Sequence, residues 1–324
     1  MSLFTFKFLC ICFIVLILSV VPNLLFQGYA SPETVTHKIG TLDFNFVVAG
    51  DFSCNKEAKK TVNNMATKKP EIVLTVGDHS YRKSADCWFD TVSPLDTDGK
   101  LKIAFGEHDI DDNLTKYKTY LRHFNLTDPY YSFDYQNVHF LAMATPKNMV
   151  IPYMNSTLCN FVKNDLKSAH ENKNVNWIVV LSYRPLYSST SIHSGKAELQ
   201  DLYHPLFDKY GVDLVLQGHN HNYQRTYPLG YNITDSHSPT ILDKNASIYN
   251  NELNGPIFVT VGTAGEILHN FINQKPFVKT QFLHHGFLNL EVTNNGSNMT
   301  GTFYENNGLI SEDQFTILKK HKTP

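Results

Sequence analysis

Four apolar segments of this chain end in side chains that bind cations. FNFVVAGD (44–51) ends in Asp51, EIVLTVGD (71–78) in Asp78, LKIAFGEHD (101–109) in Glu107 and His108, and VDLVLQGHNH (212–221) in His219 and His221. His219 and His221 are two residues apart, so extended backbone points both imidazoles to one side. Asp78 and Tyr81 share the turn GDHSY, close enough to face one point. If these ends converge, their carboxylates repel, and one must take up a proton unless a cation sits between them. A divalent or trivalent metal removes the repulsion and uses all of these groups as ligands. Any single Gly-Asp is better explained as a strand-to-helix turn with a capping carboxylate. Repetition of the pattern along one chain favours the metal.

Strands and helices must alternate to position such ends. Helix spacing of Ala58, Val62, Met65 and Ala66 predicts a helix over 54–67. Further helices are expected at 113–123, 157–170 and 196–210, and a hairpin over 130–145 turning at Gln136-Asn137. VNWIVVLSY (175–183) is another buried strand. After residue 221 the texture becomes short β segments: NYQRTYPL, GPIFVTVGTAG, HHGFLNLEVTNN and MTGTFYENN. Strand–helix alternation followed by β-rich return strands predicts an α/β sandwich of two sheets with helices outside. Residues 146–156 and 231–254 are expected to be long surface loops.

Composition bounds the rest. A chain of 324 residues buries a full core, and a net charge of −2 argues against nucleic-acid binding by phosphate neutralisation. Residues 1–30 carry one basic residue, Lys7, before an apolar run from Phe8 to Pro22, and close with Gly28-Tyr29-Ala30. They read as a cleaved secretory signal or as an uncleaved N-terminal membrane anchor. Either one puts the remainder outside the cytoplasm, with 31–43 as linker and 44–320 as the domain. Seven sequons, at Asn113, Asn125, Asn155, Asn232, Asn245, Asn295 and Asn298, fit an exported glycoprotein. Cys54 and Cys87 form a disulfide in an oxidising compartment or remain two buried thiols; Cys159 stands alone.

GDFS (50–53), GDHSY (77–81), GEHD (106–109), LSYRPLY (181–187) and GHNHNYQR (218–225) follow the order of the motif blocks of the metallophosphoesterase (calcineurin-like phosphoesterase) superfamily. They most resemble its purple acid phosphatase branch, over about residues 44 to 320. The resemblance implies a two-sheet αββα sandwich and a dinuclear site that hydrolyses phosphate esters by a metal-bound hydroxide. It implies Asp51, Tyr81 and His221 on a first metal, iron, with Asp78 bridging to a second metal, Zn, Mn or Fe. His219 is then a ligand of the second metal, and Glu107 stands where the family has Asn. Tyr183 stands where the family has a ligand His. It also implies that His108 contacts phosphate and protonates the leaving group, and that His193, ten residues after Tyr183, belongs to the substrate pocket. The expected partner is a phosphorylated small molecule or other phosphoester. The two departures open a second reading: a catalytically weakened or inactive metal- or ligand-binding protein on the same scaffold. Arg225 matches a motif position but is equally well explained by a structural ion pair. His79, His139, His284 and His285 are expected to be ordinary surface or core residues.

Overall fold

In the computed structural model, residues 42–145, 157–245, 247–250 and 255–320 are described. The leader, residues 31–41 of the linker, the loop 146–156 with its sequon Asn155, and residues 246 and 251–254 lie outside them.

The apolar runs become strands because both of their faces are covered. In β1 (Phe44–Ala49), Phe46 and Val48 pack between the sheets, whereas Val47 and Ala49 face the helices on the outside. β6 (Trp177–Ser182) divides likewise, with Val179 and Leu181 inside and Ile178 and Val180 outside. The first sheet sets β1, β2 (Ile72–Val76) and β3 (Leu101–Ala104) parallel. β14 (Gly286–Thr293), β15 (Asn298–Glu305) and β16 (Ser311–Leu318) extend it antiparallel from β1, and β11 (Ile248–Asn250) lies beyond. The second sheet sets β5 (Val138–Met143), β6, β7 (Leu214–Gln217) and β12 (Ile257–Val261) parallel. β4 (Tyr131–Tyr135) pairs with β5 on one side; β8 (Tyr223–Thr226) and β13 (Val278–Phe282) close the other. The short pair β9 (Leu229–Gly230) and β10 (Thr240–Ile241) stands apart.

Helices α1 (Lys56–Thr67), α2 (Asp86–Val92) and α3 (Thr115–His123) cover the first sheet; α4 (Thr157–Glu171) and α5 (Ala197–Tyr210) cover the second. The result is the αββα sandwich expected from the alternation. Asn55 caps α1, its side-chain oxygen accepting from the Ala58 N–H at 3.0 Å. Nothing in the sequence marks α2, which has seven residues and no side-chain cap. Tertiary bonds hold it: Trp88 is fully buried and Cys87 is disulfide-bonded to Cys54, with Cα atoms 5.8 Å apart. Closing the loop between them, a sequence separation of 33, stabilises the fold by roughly 4 kcal/mol on the chain-entropy account. β13 and β16 are also unmarked in the sequence, because few of their residues are buried and the apolar alternation is thin. Segment 231–254 contains two short strands in its described part.

Candidate metal centre

β1, β2, β3, β6 and β7 deliver the side chains from their carboxyl ends, the usual place for function in α/β sheets. Asp51, Asp78 and His219 each sit just past a strand with positive φ, at 58°, 51° and 68°. A left-handed conformation costs on the order of 1 kcal/mol per non-glycine residue, and such strain concentrates at functional turns. Close approach of these turns also requires glycine. A Cβ on Gly106 would overlap the Asp78 carboxylate, and one on Gly77, at φ 96°, would lie 2.5 Å from the Tyr183 ring.

Asp109 ties the ends of β2 and β3 together. Its Oδ2 accepts from the N–H groups of Gly106 at 2.7 Å and Asp78 at 3.0 Å, and its Oδ1 accepts from His79 N–H at 2.8 Å. The His79 ring, fully buried, places Nδ1 2.9 Å from Asp109 Oδ2. Burial alone would raise the Asp109 pKa, but the His79 charge and these donors outweigh it and hold the carboxyl below its usual range. No role for Asp109 was assigned from sequence, although GEHD displayed it; a carboxylate that orders backbone has no spacing signature.

Four predicted ligands do meet. The Tyr81 hydroxyl lies 3.2 Å from Asp51 Oδ1, 3.2 Å from Asp78 Oδ2 and 3.0 Å from His221 Nε2. His221 Nε2 is 3.4 Å from Asp51 Oδ1. Cis donors on an octahedral ion with bonds of about 2.1 Å stand about 3 Å apart, so this set fits one metal. His221 Nδ1, 2.7 Å from the carbonyl oxygen of Ile267, must carry a proton because a carbonyl only accepts. In the neutral ring that leaves Nε2 as the lone-pair donor, a common way to orient a ligand histidine. Burial and the Asp51 and Asp109 charges push Asp78 well above the usual carboxylate range. Burial, Asp51 and Asp78 push the Tyr81 phenol up as well. A cation at this point offsets both costs.

The other half of the cleft is arranged differently. The Tyr183 hydroxyl lies 2.7 Å from Asp78 Oδ2 and 2.7 Å from His219 Nδ1. With Asp78 ionised and the His219 proton on Nδ1, the hydroxyl donates to the carboxylate and accepts from the imidazole N–H, and this chain occupies Asp78 Oδ2 and His219 Nδ1, two atoms that would otherwise face a second ion. The donor set around His219 therefore does not fit a second metal as it stands. Glu107 is half-buried with Oε1 3.9 Å from Arg184 Nε.

Histidines line the mouth. His108 is exposed, its ring 4.3 Å from that of Tyr81, and its N–H donates to Asp78 Oδ1 at 2.8 Å. Burial of part of the ring pulls its pKa below the ordinary histidine value. His193 stacks on His219 with ring centroids 3.8 Å apart. His269, which sequence reasoning missed, stacks on His221 at the same 3.8 Å, and its backbone N–H donates to the His221 carbonyl at 2.8 Å. It arrives on the loop after β12, with no motif to flag it. Burial holds the His219 pKa down to about 2 and the His269 pKa to about 4, with neighbouring histidine charges contributing to both. Arg225 is the buried structural ion pair, with Nε 2.6 Å from Asp313 Oδ2. His139 and His284 also lie against carboxylates, those of Asp134 and Asp165 and those of Glu305 and Glu312.

Residues 44–223 match the calcineurin-like phosphoesterase family. Purple acid phosphatase 5 of Arabidopsis thaliana is 28% identical over 244 residues, 71% of this chain and 55% of that protein. A second Arabidopsis thaliana protein, probable inactive purple acid phosphatase 1, is 30% identical over 174 residues, 50% of this chain and 26% of its own length. The chain spans about half the length, or less, of these relatives. Among solved structures, purple acid phosphatase PPD1 from yellow lupin seeds aligns with TM-score 0.72 and 22% identity, covering 86% of this chain and 54% of that one. That likeness shows the fold.

Proposed function

The chain belongs to the calcineurin-like phosphoesterase family, and we propose that it is an exported, metal-dependent phosphoester hydrolase of the purple acid phosphatase type. The observation that carries the reading is the Tyr81 hydroxyl set 3.0–3.2 Å from donor atoms of Asp51, Asp78 and His221. These four residues would hold the metal, iron by analogy with the purple acid phosphatases. When bound, such an ion supplies Lewis acidity toward a phosphoryl oxygen and acidifies water.

The remaining work falls to the chain's own side chains. His108, beside Tyr81 at the exposed mouth, protonates the departing oxygen of the ester. Its backbone N–H holds Asp78 Oδ1, leaving Oδ2 to face Tyr81. The His269 ring backs His221 and keeps it from rotating away from Asp51. His193 lies over His219 and bounds the space for the substrate. The substrate class is a phosphate ester. Export is supported by the leader-like N-terminus, the Cys54–Cys87 disulfide and the exposed sequons Asn113, Asn125, Asn245 and Asn295. Among the described residues, no helix is long and apolar enough to cross a membrane.

Tyr183 and Glu107 favour a second reading, a metal- or anion-binding protein without turnover. Hydrolysis of p-nitrophenyl phosphate decides between them. Turnover that is lost on chelation and restored by metal supports the hydrolase. A metal-loaded, folded protein with no turnover overturns it in favour of the binder.

A further inference from the structure

β6 is followed by Tyr183 and Arg184, and both enter the half of the cleft where Asp78 faces His219. The Tyr183 ring is buried, and its hydroxyl reaches Asp78 Oδ2 and His219 Nδ1 at 2.7 Å each. Arg184 is fixed by its main chain: its N–H donates to Thr145 Oγ1 at 2.9 Å and its carbonyl accepts from Ser182 Oγ at 2.8 Å. Its side chain is only 14% exposed, and Nε stands 3.9 Å from Glu107 Oε1. In the Arg225–Asp313 pair the same atom is 2.6 Å from its acceptor. Arg184 Nε thus has a carboxylate within Coulomb range but no hydrogen-bond acceptor among the described residues. A guanidinium whose Nε–H lacks an acceptor keeps hydrogen-bonding capacity in reserve, and guanidinium groups grip oxyanions with two parallel N–H groups.

We propose that Tyr183 and Arg184 together replace a second metal. The Tyr183 hydroxyl fills the place between Asp78 and His219, and the Arg184 guanidinium supplies the positive charge that binds a phosphate oxyanion beside the Tyr81 pocket. The inference rests on reading that pocket as the metal site. It also gives Glu107 a role: its carboxylate competes with the incoming anion for Arg184 and sets how tightly phosphate is held.

Two measurements on the metal-loaded full chain test this: metal per chain by plasma mass spectrometry, and orthophosphate binding by calorimetry. Wild type should hold one metal, and folded Tyr183→His should hold two. Arg184→Met should weaken orthophosphate at least tenfold with the metal count still one, Arg184→Lys should weaken it less, and Glu107→Gln should tighten it severalfold. Two metals in wild type, or one in folded Tyr183→His, overturns the filling role. An unchanged phosphate affinity in Arg184→Met overturns the anchoring role. Should Tyr183→His not fold, the wild-type count still decides. One metal with Arg184-dependent phosphate binding but no turnover upholds this inference while overturning hydrolysis; turnover with two metals does the reverse.

Discussion

Asp78 Oδ2 touches two tyrosine hydroxyls whose settings differ. Tyr81 faces Asp51 Oδ1 and Asp78 Oδ2 at 3.2 Å each, with His221 Nε2 at 3.0 Å. One phenol proton cannot satisfy two carboxylates, and a cation among these groups would neutralise both. Tyr183 instead has one carboxylate and one imidazole at 2.7 Å, which its single proton and its lone pair match. On the proposed reading, the same residue type serves as a ligand where two carboxylates compete for its proton and as a plug where its hydrogen bonds are matched. Proximity of donors to one carboxylate does not make a metal site; the balance of donors and acceptors does.

Breaking the Tyr81 side should have the largest effect. Asp51→Asn removes a charged donor, and we expect loss of bound metal with a fall in p-nitrophenyl phosphate turnover on the order of 10³-fold. His219→Ala, the matched change on the Tyr183 side, should leave one metal bound. A fully loaded Asp51→Asn or an empty His219→Ala would reverse the contrast.

Next in size is His108→Ala, which should lower kcat roughly 10²-fold with metal content unchanged, as for removal of a general acid. Loss of metal together with activity would mean that the His108 ring, 4.3 Å from that of Tyr81, positions Tyr81 instead.

Asp109→Asn tests the bond that holds both halves in register. Breaking one partner of a buried ion pair costs about 3 kcal/mol, readable by urea unfolding. The folded carboxyl titrates below its unfolded value of about 3.9. Its stabilisation is therefore complete above that value and is lost as pH falls through the lower folded pKa. Asp109→Asn should flatten this acid limb; a limb of unchanged slope would assign it to other carboxylates.

The smallest change expected is at His269. His269→Ala removes the ring behind His221 and should weaken metal binding about tenfold, the usual scale for a partner of a ligand histidine. An unchanged affinity would leave the Ile267 carbonyl as the sole orienting group.

Legibility followed the physics of each signal. The parallel strands were readable because burial on both faces makes them continuous apolar runs, as in IVLTV and WIVVLS. β16 was not, since only Phe315 and Ile317 of its eight residues are buried. Within the site, Asp51, Asp78, His219 and His221 were marked by their place at strand ends, and Tyr81 by its place in the turn GDHSY. His269 and Asp109 were not, because they act through other groups rather than at a fixed spacing.

Residue types and their order along the chain determined which groups could bind a cation and which two positions, 107 and 183, depart from the family pattern. Side-chain chemistry and strand periodicity are local properties, so one dimension is enough for them. Only the tertiary structure decided that Tyr183 reaches Asp78 and His219 at hydrogen-bond distance and that Arg184 stands opposite Glu107. Those contacts join β2, β3, β6 and β7, and sheet packing alone sets the distances between their ends.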